Sequence, residues 1–179
     1  MRLLKPDEIE VKVKQVCKSG VFVLLYKTAR VDMAILDETY GAMNWQCKYE
    51  EIKGNMYCSI GVYDKEKQQW IWKQDCGIES RADGDGNEKK GEASDSFKRA
   101  GFKWGIGTEL YSAPQIFISC ETEEKEYNGK KTYRLSDLYE KFSVKNIWYD
   151  GNEIGAIEIV NKKGERVYTW KKAGFTVSK

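Results

Sequence analysis

The chain has 179 residues, room for one compact domain or one domain with a small appendage, which excludes a large multidomain enzyme. Its 30 basic and 28 acidic residues leave a formal net charge of +2, so bulk charge alone does not argue for a polyanionic partner. Histidine is absent, which removes triads, imidazole bases and the commonest transition-metal ligand.

No window approaches 18 uninterrupted apolar residues and Met1 to Pro6 lacks the apolar segment of a signal peptide, so the expectation is a soluble protein of the cytoplasm, with no membrane partner. Five cysteines (Cys17, Cys47, Cys58, Cys76, Cys120) form no CxxC pair and read as reduced core or interface thiols. Charge is unevenly placed. Lys162, Lys163, Arg166, Lys171, Lys172 and Lys179 face only Glu165 in the tail, and the acidic run Glu121, Glu123, Glu124, Glu126 reads as a solvated loop.

In chain order, Pro6-Asp7-Glu8 suits a helix entry, but Ile9, Val11 and Val13 alternate, leaving helix and strand both open. Val21 to Tyr26 predicts a buried strand. A helix follows from Thr28, a capping residue, to Gly41, with Met33, Leu36 and Tyr40 on one face and Lys27 and Arg30 presented at its start. Trp45 to Ile52, Met56 to Tyr63 and Trp70 to Glu79, joined by short polar turns, predict an antiparallel meander. In the third of these strands Trp70, Trp72, Gln74 and Cys76 share one face, with Ile71, Lys73 and Asp75 on the other. Arg81 to Gly91 reads as an exposed loop. Beyond Pro114, strands are expected at Gln115 to Cys120, Val144 to Tyr149, Ile154 to Val160 and Arg166 to Trp170, with a short helix at Ser136 to Phe142.

Glu92 to Gly105 is the most informative segment. Ala93, Phe97, Ala100, Gly101 and Trp104 recur at spacings of three and four, which at ~3.6 residues per turn makes one apolar stripe facing the sheet. Lys98, Arg99, Phe102 and Lys103 fall on the opposite arc, with Gly105 as the C-terminal cap. Cations around an aromatic ring suit a single nucleic-acid strand, because they neutralise phosphates while rings stack on bases without reading sequence. A solvated face, with Asp95 paired to Arg99, is the plainer alternative.

The run Gly91-Glu92-Ala93-Ser94-Asp95-Ser96-Phe97-Lys98-Arg99-Ala100, continued by Trp104-Gly105-Ile106-Gly107 and Leu110-Tyr111, resembles the signature helix of the Rad fifty-two family, especially its phage and bacterial single-strand annealing members. Upstream, Tyr26 to Arg30, Leu36 to Gly41 and Asn44-Trp45 resemble the family's preceding helix and strand entry. The resemblance spans about Pro6 to Pro114. It implies an α+β fold with a β-β-β-α core, an antiparallel sheet packed on the signature helix, assembled into homo-oligomeric rings that hold single-stranded DNA in a positive outer groove. It also implies annealing in recombination and break repair without nucleotide hydrolysis, no cofactor, and phage or host exonuclease and single-strand binding proteins as partners, in a bacterial or phage-infected cell. The family's Lys-Arg pair falls on Lys98 and Arg99, and a basic position of its first helix on Lys12, or Lys14 with a short gap. A cation common one turn after the pair is Phe102 here, with Lys103 as its replacement. Residues after Cys120 lie outside the match, so the division expected is a core domain of residues 1–120 and a β-hairpin extension of residues 121–179.

Rival readings are weaker. Gly105-Ile106-Gly107 follows a helix and lacks the Lys-Ser or Lys-Thr of a P-loop, and Asp83 to Glu88 lacks the Gly and Glu of a calcium loop. A metal-dependent nuclease would have to use Asp7, Glu10 and Lys12. A strand-sequestering protein of OB type would use the many strand Trp and Tyr residues.

Overall fold

The computed structural model describes residues 1–78, 88–127 and 129–177. Among the described residues the fold is mixed α+β, with mainly antiparallel strands and two α-helices. By compactness the chain divides differently from a single cut at residue 120: one unit holds Met1–Leu3 and Lys27–Gly107, the other Leu4–Tyr26 and Thr108–Lys179.

The second unit is built on a six-stranded sheet. A 3-10 turn at Pro6–Glu8 leads into β1 (Glu10–Cys17), which turns back as β2 (Gly20–Tyr26). The early alternation therefore makes a strand, and Lys12 does not lie on a helix; the correspondence that assigned it to a first helix loses its basis. The other members are β6 (Ile116–Ser119), β9 (Ser143–Asp150), β10 (Glu153–Val160) and β11 (Arg166–Lys171), in the order β11-β10-β9-β1-β2-β6. β11 comes back beside β6, so the sheet nearly closes on itself. Val21, Val23, Ile116, Ile118, Ile154, Ile157 and Ile159 are buried in this unit, each contributing about 1.5–3 kcal/mol of transfer free energy. The C-terminal strands are thus not a free hairpin appendage, since β9 pairs with β1 and shares its sheet. A separate hairpin, β7 (Thr122–Tyr127) and β8 (Lys130–Leu135), corrects the reading of the acidic run as a loop: Glu123 and Glu124 lie on β7 and pair with Arg134 and Lys131 across the hairpin. The helix expected at Ser136 to Phe142 does not form; Tyr139 N–H donates to Asp137 Oδ1, a local turn that competes with helix.

The first unit stacks α1 (Ala29–Tyr40) and α2 (Glu88–Lys103) with a meander of β3 (Trp45–Ile52), β4 (Asn55–Asp64) and β5 (Gln69–Cys76), ordered β3-β4-β5. The loop expected over Arg81 to Gly91 is helical from Glu88 onward; its residues 81–87, and with them most of the rejected calcium motif, lie outside the described residues. α1 is flanked by Thr28 at its N-cap, whose side chain makes no cap hydrogen bond, and by Gly41 at its C-cap, whose φ of 83° suits glycine. Its buried arc is Asp32, Ile35 and Leu36, while Met33, placed by spacing on one face with Leu36 and Tyr40, is exposed. Strand alternation turns Cys58, Ile60 and Val62 of β4 toward α2, where they meet Phe97 and Ala100, all buried.

Candidate nucleic-acid interface

α2 presents its cations because its other side is committed to the sheet. Phe97 and Ala100 are fully buried, Phe97 stacks edge-on to Trp45, and the Trp104 indole N–H donates to the Ile60 carbonyl at 3.1 Å. Glu92 and Ser96, which an apolar stripe does not reveal, are buried on the same side; Glu92 Oε1 accepts the Met56 N–H at 2.6 Å and Ser96 Oγ donates to the Ala93 carbonyl at 2.9 Å. Those partners explain how polar groups are tolerated there.

The outer arc brings Lys98, Arg99 and Lys103 together. Lys98 Nζ is 3.7 Å from Asp95, and Arg99 Nε and Lys103 Nζ lie 3.5 Å from the two oxygens of Asp75 on β5. Asp95 therefore pairs with Lys98, not with Arg99, and its other oxygen accepts the Ile78 N–H. Three cations share two carboxylates, leaving one positive charge in excess. Arg99 and Lys103 are 40% and 49% exposed but Asp75 is only 20% exposed and the Arg99 Nε atom is itself buried, so of these two pairs the one to Lys103 is the more solvated; Lys98 is 21% exposed. Alternation places Asp75 on the Lys73 face of its strand, but nothing in the sequence marks it as the hinge between two helix cations.

The basic strip continues past the helix end. Lys73 Nζ donates to the Lys103 carbonyl at 2.8 Å and sits 4.5 Å from the Trp104 ring centroid, a cation–π contact. Beside it a cavity of about 490 Å³ is lined by Tyr40, Tyr63, Trp104, Lys65, Lys67 and Lys73, among others. Asp64 and Glu66 line it too, so carboxylates are interleaved with the lysines there, and Lys67 Nζ lies 3.5 Å from Asp64.

Lys27 corrects the expectation of a solvent-facing cation. It is 3% exposed, forms a buried ion pair with Asp32, donates to the Lys98 carbonyl at 3.2 Å, and lies 4.2 Å over the Phe102 ring. Phe102, an outward aromatic ring expected to be covered by DNA, a neighbouring subunit or another element of the chain, is half-buried with this cation of its own chain over its ring. Burial pushes the Asp32 carboxyl up to about 6 from 3.8, against the attraction of Lys27. Arg30 is exposed at the start of α1. Lys12 belongs to the other unit, where it is exposed on β1, 3.5 Å from Glu10 and 5.3 Å from the Tyr26 ring centroid.

All five cysteines are free thiols. Among the described residues no group of three or more Cys, Asp or Glu comes together as a metal site, and no helix is long and apolar enough to cross a membrane. No family model, curated protein or solved structure matches this chain.

Proposed function

We propose that this chain binds single-stranded DNA along the outer flank of α2 and speeds the pairing of complementary strands, without nucleotide hydrolysis and as a homo-oligomer of the Rad fifty-two kind. The observation that carries this reading is the run of Lys98, Arg99, Lys103 and Lys73, held by a helix whose opposite side is locked to the sheet and ending beside an aromatic-lined cavity. The β3-β4-β5 meander followed by α2 supports the β-β-β-α core that the signature run suggests. Annealing requires that the sugar-phosphate backbone be held while base edges stay free, and weak surface cations achieve this when repeated around an oligomer. Arg30 is a secondary phosphate contact on this reading, and Lys27 acts by positioning α2. A cytoplasmic location and a partner exonuclease or single-strand binding protein belong to the same proposal.

Lys98→Ala with Arg99→Ala is expected to weaken binding of labelled oligo-dT and mixed-sequence strands alike. The slope of log K against log salt should flatten by about 1.4, at about 0.7 for each phosphate that is no longer neutralised. Fluorescence anisotropy across a salt series checks it; unchanged affinity in the folded double variant removes α2 from the interface. The nearly closed sheet of the second unit favours one other reading, a sequestering protein of OB type. Mixing two complementary labelled strands separates the readings, since an annealer accelerates pairing and a sequestering protein slows it.

A further inference from the structure

The meander has two faces, and α2 covers only one. On the other, alternation lines up Tyr57, Ser59, Gly61 and Tyr63 of β4 with Trp70, Trp72 and Gln74 of β5. Trp70 and Trp72 are 37% and 39% exposed there. Trp72 lies flat on Gly61: a Cβ at residue 61 would stand 2.8 Å from three carbons of the indole. One π-face of Trp72 therefore rests on the sheet and the other turns outward. Trp70 continues the surface, its ring centroid 6.1 Å from that of Trp72 with a tilt of 35°, and Tyr63 braces Trp70 edge-on at 5.5 Å. Lys48 of β3 places its ammonium 5.1 Å from the Trp72 centroid, and its pairing with Glu50 is loose, at 3.9 Å with both side chains about half exposed.

We infer that this face is a stacking platform for the bases of single-stranded nucleic acid. Three features select that occupant. Outward-facing rings stack on any base without reading its edge, which leaves the pairing edges free. Lys48 stands at the platform with a solvated ammonium, able to meet a phosphate, with Glu50 as the opposing charge beside it. Gln46, Lys48, Glu50 and Gln74 are interleaved with the rings, whereas the centre of a self-association surface is depleted of charge. β5 also links the platform to the basic strip, because Asp75, which holds Arg99 and Lys103, and Gln74, whose carbonyl accepts from Lys103 Nζ, are neighbours on this edge strand. A bound strand can thus keep phosphates on the cations of α2 while bases lie over the edge on Trp72 and Trp70. The inference rests on the single-strand reading above and adds where the bases go.

The test measures anisotropy with the full chain and two probes of equal length, oligo-dT and an abasic sugar-phosphate oligomer. Trp70→Ala with Trp72→Ala should weaken oligo-dT binding about tenfold or more, leave the abasic oligomer unaffected and keep the salt slope of the wild type. Gly61→Ala, whose methyl has the Trp72 ring as its nearest neighbour and must displace it, should act in the same direction on a folded chain, and Trp72→Tyr should recover most of the loss. Wild-type oligo-dT affinity in the Trp variants, or equal loss on both probes, overturns the platform while leaving the single-strand reading in place. A wild type that binds neither probe overturns both. A smaller oligomer by light scattering in the Trp variants assigns the face to a second copy of the chain and also overturns the platform.

Discussion

Asp32→Ala is expected to destabilise the first unit by about 3–5 kcal/mol, because it strips the carboxylate from an ammonium buried between two helices. The side chains of Lys27 and Asp32 are 1% and 0% exposed. Lys27 also reaches the Lys98 carbonyl, so the pair ties the start of α1 to the turn of α2 that carries Lys98 and Arg99. The close approach depends on Gly101, where a Cβ would fall 2.7 Å from Asp32 Oδ1. Asp32 Oδ2 has no hydrogen-bond partner among the described residues, so desolvation of this carboxylate is only partly offset. Replacing both partners with apolar residues of similar size, Lys27→Met with Asp32→Leu, should therefore cost much less than Asp32→Ala alone. Urea denaturation of the two single variants and the double one measures the coupling. A loss under about 1 kcal/mol for Asp32→Ala would refute the assignment, since that is the range of an exposed pair.

The same pair makes stability depend on pH with a definite sign. Burial lifts the Asp32 carboxyl to about 6, while the unfolded chain titrates it near 3.8. Between those values the native state holds the proton more tightly than the unfolded state does. This group therefore makes stability fall as pH rises from about 4 to 6, by at most about 3 kcal/mol, with no further change above that window. Asp32→Asn should remove this component from a pH series of unfolding free energies; an unaltered slope would place the titration elsewhere.

How much of the molecule is legible in the sequence depends on which signals are periodic. Alternation and turn residues delimit β3 at Trp45 and Ile52, and spacings of three and four give the α2 stripe. Lys27 escapes such reasoning because a buried ion pair has no period: a lysine just before a helix cap looks like a surface cation, and its only clue is Asp32 five residues on. β7 is equally silent, because its exposed Glu123 to Glu126 need no apolar alternation, and its acids meet Lys131 and Arg134 on a strand that local patterning does not reveal. The division into units is hidden for a different reason. β1 pairs with β9 through Glu10 and Ser143, and a contact at that separation leaves no trace in local patterning. The Trp70 and Trp72 face is legible as a face, yet its exposure follows from α2 packing on the opposite side, a tertiary fact.

Gly77→Ala is the second substitution with a large expected effect, and its comparison with Gly61→Ala isolates the cause. A Cβ at residue 77 would lie 2.2 Å from the Glu92 carbonyl oxygen and 3.0 Å from the Glu92 carbonyl carbon and Cγ. The obstacle is helix backbone, which cannot rotate aside as the Trp72 ring over Gly61 can. The surroundings are tied as well: the Gly77 N–H donates to the Met56 carbonyl at 2.8 Å, and the Met56 N–H donates to Glu92 Oε1 at 2.6 Å. The end of β5, the start of β4 and the second turn of α2 thus meet around one missing methyl group. Adding it forces α2 outward as a body, at a cost of about 2–3 kcal/mol or more. The same displacement moves Arg99 and Lys103 off Asp75, so oligo-dT affinity should change along with stability. Gly61→Ala, by contrast, should stay within about 1 kcal/mol of the wild type because the nearest obstacle is a partly exposed side-chain ring and not backbone. Equal stabilities for the two variants would mean that the approach of Gly77 to α2 is not what holds the helix in place. A stability loss in Gly77→Ala with unchanged salt dependence of binding would separate the packing of α2 from its role in holding phosphate.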